Sequence, residues 1–343
     1  MKKKLFDYVI GNPPYQEETD SDSTRMPPIY NLFMDEAYKV AEKVELITPA
    51  RFLFDAGYTP GEWNKKMLND EHLKVIRYVQ KSDEVFPGTD IKGGVAVTYR
   101  DARANFGAIG VFTAFDELNH ILSKVTAATE RWLPEIIASP LSYKVSKKML
   151  EDYPDSIGRL RTSAFTKLSE IFYEEAPNDG HKYIGMYGLL GNSRVMRYVR
   201  KDYIDDTAGT LDYYKVFVPA ANGSGALGEV LSTPLIGHPL IGHPLIGHTQ
   251  TFISIGRFKK ECEAEALLKY VKSKFARAML GILKITQHNP APKWKYVPLQ
   301  NFTSESDIDW TEPVHEIDRQ LYRKYGLDAK EIDFIETHVK EMA

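Results

Sequence analysis

Hydrophobic and polar positions follow two different periods over the first hundred residues. FDYVI (6–10) is a nearly continuous apolar and aromatic run that ends in Gly11-Asn12-Pro13-Pro14, which predicts a buried strand stopped by a turn. The polar, Pro-ended stretch 16–28 reads as a loop. Apolar residues at 29, 33, 37, 40 and 41 then recur at helical spacing and predict a helix over 29–43. VELITPA (44–50) predicts a second strand halted by Pro49, and GEWNKKMLND (61–70) a short helix. LKVIRYVQ (73–80) and GGVAVTYRD (93–101) predict two more strands joined by a loop. This succession of elements predicts an α/β sheet.

The pattern changes after residue 101. The stretch 112–137 predicts a long helix, and from about 140 the chain shows short strands and many turns. Helices return at 259–283, after Pro313 and at the end, where Asp328 and Glu331 form a capping signature just past Gly326. The expected divisions are 1–110, a mixed α/β region over 111–300, and a helical acidic tail over 301–343. PLIGH occurs three times in tandem over 234–248. Its prolines oppose the helix that would gather the three histidines, and the repeat holds no cysteine or carboxylate. No metal site is expected there; a duplicated, tolerant surface loop is. Gly223 to Gly228 form a G-x-G-x-x-G after a strand-like run, but Pro234 curtails any helix behind them.

Composition narrows the class. A chain of 343 residues can hold two cores, and no apolar run approaches the ~20 residues of a membrane span. LFDYVI is too short and too polar for an export signal behind MKKK, and the single Cys262 forms no internal disulfide and reads as a packing residue on a helix. A cytoplasmic protein is expected. The net charge of −3 is uneven, because residues 305–343 carry −6 and leave +3 on the remainder. Basic residues gather as Arg194, Arg197, Arg200 and Lys201, as Lys259 and Lys260, and over 269–277. Each cluster is either a phosphate-tracking patch or a solvated face.

The turn after the first strand suggests a chemistry. The exocyclic amine of adenine is a poor nucleophile because its lone pair is delocalised into the ring. Two acceptors, one for each amino hydrogen, draw that nitrogen toward tetrahedral geometry. The side-chain oxygen of Asn12 and the carbonyl of Pro13 are candidates, with Pro13 and Pro14 fixing the backbone and Tyr15 offering a face for an extruded base.

NPPY after a strand resembles the catalytic signature of restriction–modification DNA N6-adenine methyltransferases. YNLFMDEAYKV with VELITPARFLFDAG, and DEVFPGTDIKGGVAVTYR, are similar to later segments of the class in which the S-adenosylmethionine (SAM) half comes first. The C-terminal stretches TFISIGRF, AEALLKYVKSKFARAMLG and KWKYVPLQNFTSESDIDW look like its target-recognition region. The resemblance implies an incomplete doubly wound, Rossmann-like sheet whose substrate is double-stranded DNA with a flipped adenine. It places Phe86 on the base's second face, where a loop aromatic plugging the sheet is the alternative. Pro49, Arg51 and Phe52, at a strand's C-terminal end, are either pocket wall or a plain turn. With five residues ahead of FDYVI, a partner chain is expected to supply the SAM half. The alternatives are a non-catalytic DNA-binding specificity module or truncated relic, and a permuted enzyme using the Gly223–Gly228 turn.

Overall fold

The computed structural model describes residues 4–17, 27–54, 58–89, 91, 93–156, 160–223, 226–233, 237–284 and 287–342. The chain divides into two compact units, residues 1–116 and 117–343.

The first unit contains β1 (Phe6–Gly11), α1 (Tyr30–Val40), β2 (Ala41–Pro49), α2 (Gly61–Leu68), β3 (Leu73–Val79) and β4 (Val95–Asp101). Its sheet has the order β1-β2-β4-β3, with β1 parallel to β2 and β4 antiparallel to both of its neighbours. Tyr30 and Met34 of α1 and Trp63, Met67 and Leu68 of α2 enter one core cluster with Val44, Leu46, Leu73 and Ala96 of the sheet. Both helices therefore cover the same face, so the doubly wound arrangement is not seen among the described residues. α1 also stops three residues before the predicted end, because Ala41 turns extended and pairs with Phe6.

β1 is an edge strand. Among the described residues it pairs with β2 alone, and Phe6 and Ile10 are 55% and 72% exposed. Leu5 beside it, and Leu32 and Phe33 on α1, are exposed as well. The expected buried strand is thus an uncovered one. Gly94 shows why a glycine pair precedes β4: its φ is +73°, and a Cβ there would run into the carbonyl of Val79.

The second unit opens with α3 (Asp116–Ala127), which begins at the last residue of the first. The long helix expected over 112–137 is this shorter one, followed by a 3₁₀ turn at Leu133–Ile136. Then come β5 (Ile137–Ala138), β6 (Tyr143–Val145), α4 (Lys147–Asp152), α5 (Ala164–Lys167), β7 (Tyr183–Leu190), β8 (Ser193–Arg200), β9 (Ile204–Asp206), β10 (Tyr214–Pro219), β11 (Leu240–Gly242), β12 (Ile246–His248) and β13 (Phe252–Phe258). They form sheets of order β11-β10-β13-β5 and β12-β7-β8, with β6 and β9 as a pair. The chain ends in α6 (Glu261–Lys272), α7 (Lys274–Gly281), α8 (Val314–Lys324) and α9 (Ala329–His338). α8 packs on α6 and α7, and α9 on α7, so the acidic stretch 301–343 lies inside this unit. The predicted 259–283 helix is two helices: Ser273 is extended and caps α7, whose first amides also donate to the buried Asp318 carboxylate of α8. Cys262 is exposed rather than packed.

The second and third PLIGH units are not a surface loop. Residues 234–236 lie outside the described residues, but the second copy supplies β11 and the third supplies β12. His238 and His243 are exposed, whereas His248 is buried against Tyr143 and Phe217, with its ring nitrogens 2.8 Å from the Thr249 carbonyl and 2.7 Å from the Ser254 hydroxyl. Burial pushes its pKa down to about 4. Nearby, the fully buried Lys215 of β10 donates to the carbonyls of Leu211, Tyr213 and His243 at 3.0–3.3 Å. Burial pulls its pKa down to about 7, against the opposing pull of Asp206 and Asp212.

Candidate active site

The turn Asn12–Tyr15 leaves the C-terminal end of β1, beside the end of its parallel neighbour β2. Asn12 is exposed, and its side chain has no hydrogen-bond partner among the described residues. Pro14 is exposed and Pro13 half-buried. Tyr15 is held from behind: its carbonyl accepts from the Ile29 amide at 3.2 Å, and the next residue, Gln16, bridges to Pro28. The ends of the 16–28 loop thus close on each other, while its interior, 18–26, lies outside the described residues.

Phe86 lies on the loop between β3 and β4 and meets Tyr15 with ring centroids 6.5 Å apart and planes at 66°. These two aromatics, far apart in sequence, come together. Tyr15 also lines a cavity of about 150 Å³ with Pro49 and Arg51, two of the three expected wall residues. The third, Phe52, does not reach it. It is fully buried and packs edge-on against Trp63, because the 3₁₀ turn at Ala50–Phe54 directs it into the core.

Sequence reasoning missed the rest of the wall, which includes Tyr30, Tyr58 and Ile91. Tyr30 lies outside the apolar positions 29, 33, 37, 40 and 41 that marked the helix, and nothing local marks Tyr58 or Ile91. The Tyr15 hydroxyl is buried without a partner among the described residues, and burial raises its pKa. Burial likewise lifts Tyr30 to about 12, with Arg51 pulling the other way. Arg51 is closely backed by Gly93, where an added Cβ would sit 2.9 Å from the arginine Cγ. The cavity therefore offers aromatic faces, one guanidinium and neutral phenols.

The basic clusters of the second unit are more self-contained than their sequence suggests. β8 alternation places Arg194 and Arg200 on one face and Arg197 on the other. Arg197 pairs with Glu174 at 2.8 Å, Arg200 with Asp202 at 2.5 Å and Lys201 with Asp212 at 3.0 Å. Arg194 donates to the His238 carbonyl at 3.3 Å. Lys259 and Lys260, just before α6, are exposed.

The Gly223–Gly228 stretch is described only in part. Gly225 lies outside the described residues, but no helix follows over residues 226–233. The Glu229 carboxylate fills the space beside Gly223, and Arg277 donates to the Gly228 carbonyl at 3.1 Å. Gly228 is thereby tied to α7, and the described residues over 226–233 provide no helix N-terminus for a cofactor.

Residues 1–86 match the family described as Eco57I restriction-modification methylase. An uncharacterized adenine-specific methylase of Mycoplasma pneumoniae is 31% identical over 93 residues, which are 26% of this chain and 22% of that protein. Among solved structures, the type IIG restriction endonuclease BpuSI is similar with a TM-score of 0.33 and 10% identity, over 97% of this chain and 54% of that one. The chain thus spans about a fifth of the curated relative's length and about half of the endonuclease's. The matched family segment contains the whole NPPY turn and ends at Phe86.

Proposed function

We propose that residues 1–110 form the catalytic half of a site-specific DNA adenine-N6 methyltransferase, and that 111–300 carry its target-recognition region. The observation that carries this reading is the meeting of Tyr15 and Phe86 beside the cavity of Pro49 and Arg51, at the end of the strand that delivers Asn12. An adenine turned out of duplex DNA would stack between the two rings. A sandwich needs rings about 7 Å apart, twice a van der Waals separation of about 3.5 Å. The observed 6.5 Å and 66° therefore call for rotation of one ring on base entry. The Asn12 amide oxygen, without a partner among the described residues, and the Pro13 carbonyl accept the two amino hydrogens and favour the pyramidal nitrogen of the transition state.

SAM, the donor the family match implies, does not fit the described residues. None of them forms a G-x-G-x-x-G turn joining a strand to a helix, and a cavity of about 150 Å³ is half the low end of pockets for ligands of that size, roughly 300 Å³. The uncovered β1 edge, with exposed apolar residues on β1 and α1, supports a SAM-binding half that adds a strand beside β1, from a partner chain or a further segment of the same polypeptide. The lack of a donor site among the described residues equally favours a second reading, a non-catalytic DNA-binding module in which NPPY is a relic.

The test uses a single-stranded oligonucleotide with one 2-aminopurine, whose anisotropy reports immobilisation of that base. Tyr15→Ala and Phe86→Ala should each weaken its binding by about ten- to a hundredfold, the scale of one aromatic–base stack. Both variants binding like the parent would sink the base-stacking site.

A further inference from the structure

Phe86 sits on an exposed loop, yet it is firmly tethered. Its amide donates to the Ser82 carbonyl at 2.8 Å, and its own carbonyl accepts from the Thr89 hydroxyl at 2.7 Å and the Thr89 amide at 3.1 Å. The two arms of the loop meet at one buried side chain. The Ser82 hydroxyl donates to the Thr89 carbonyl at 2.9 Å and accepts from the Ile91 amide at 2.7 Å. Ile91 is also a wall of the cavity beside Tyr15.

We infer that Ser82 is a positioning residue of the base site: its hydroxyl closes the Ser82–Ile91 loop so that Phe86 faces Tyr15 and Ile91 seals the cavity. The inference rests on the stacking role proposed above for Phe86. Ordering a loop at the moment of binding costs conformational entropy, and a loop already closed avoids that cost. Ser82 does this by satisfying a donor on one arm and an acceptor on the same arm from a position on the other. Without the hydroxyl, the Thr89 carbonyl and Ile91 amide find partners only in water, which favours an open loop and a displaced ring.

The test is the same anisotropy titration with the full chain and the 2-aminopurine oligonucleotide. Ser82→Ala should weaken binding about three- to tenfold, the worth of one or two hydrogen bonds. Ser82→Thr, which keeps the hydroxyl, should restore it, and Ser82→Cys, which keeps the volume without a strong donor, should behave like alanine. A serine that acts through the ring has no further effect once the ring is gone, so Ser82→Ala in a Phe86→Ala background should bind like Phe86→Ala alone. Ser82→Ala binding like the parent, or multiplying the loss in that background, would overturn the inference and leave the stacking role standing. Phe86→Ala binding like the parent would overturn the stacking role, and this inference with it.

Discussion

Lys215 offers a measurement that isolates one buried charge. The folded group has a pKa of about 7 against an ordinary value of 10.5, with burial as the leading cause. Between these values the unfolded chain holds a proton that the folded chain has released, so raising the pH favours folding. The stabilisation is absent below about pH 7 and grows through the window up to 10.5. At 1.36 kcal/mol per unit, the full window is worth roughly 5 kcal/mol, and the part between about pH 7 and 9 about 2 kcal/mol. Lys215→Met keeps the length of the side chain and removes the proton. Urea unfolding of both proteins at pH 7, 8 and 9 should give a rise of about 2 kcal/mol in the parent that is missing in the variant. Equal pH dependence in the two would refute the reasoning, because the lysine would then keep its ordinary pKa by reaching water.

Three more outcomes are expected. With a SAM-binding half present, Asn12→Ala should abolish methyl transfer from labelled SAM while DNA affinity in a filter assay stays within about twofold, since a lost transition-state contact lowers turnover rather than binding; full turnover in the variant would refute the role given to Asn12, and no turnover in the parent would favour the relic reading. Removing Lys259 and Lys260 together should lower the slope of log affinity against log salt by about two units. Neutralising Arg197, Arg200 and Lys201 should change it less, because each is already paired with a carboxylate. Gly242→Ala should cost about 1–3 kcal/mol in urea unfolding through overpacking, as a Cβ there would run into the Phe217 ring.

The elements of the first unit were legible because their signals are local. Pro49 ends β2 and β-branched runs mark β1 and β3, all readable within a few residues. What escaped depends on distant partners. No stop residue ends α1, which yields only because β1 recruits Ala41 into a sheet. The break between α6 and α7 needs the Asp318 carboxylate of α8 to hold the amides of Lys274 and Phe275. The site divides the same way. Asn12 to Tyr15 announce themselves as a motif, whereas the burial of Phe52 and the part of Ile91 in the wall follow from how turns fold back. The pairing of Arg197 and Lys201 was hidden because Glu174 and Asp212 stand far off in the chain.

The tandem repeat has a genetic corollary. Since its three units are identical, deleting any one of them yields the same polypeptide, so three different lesions in the gene are a single variant of the protein. That variant still contains two units ahead of Thr249, enough to rebuild both β11 and β12 in their present registers and to return the buried imidazole to Ser254. The shortened chain would give up the Thr233–Gly237 bridge and the hydrogen bond from Arg194 to the His238 carbonyl. Loss of one five-residue unit would thus be absorbed by sliding sequence through a fixed fold. Substituting the last histidine has no such refuge, because no copy follows it.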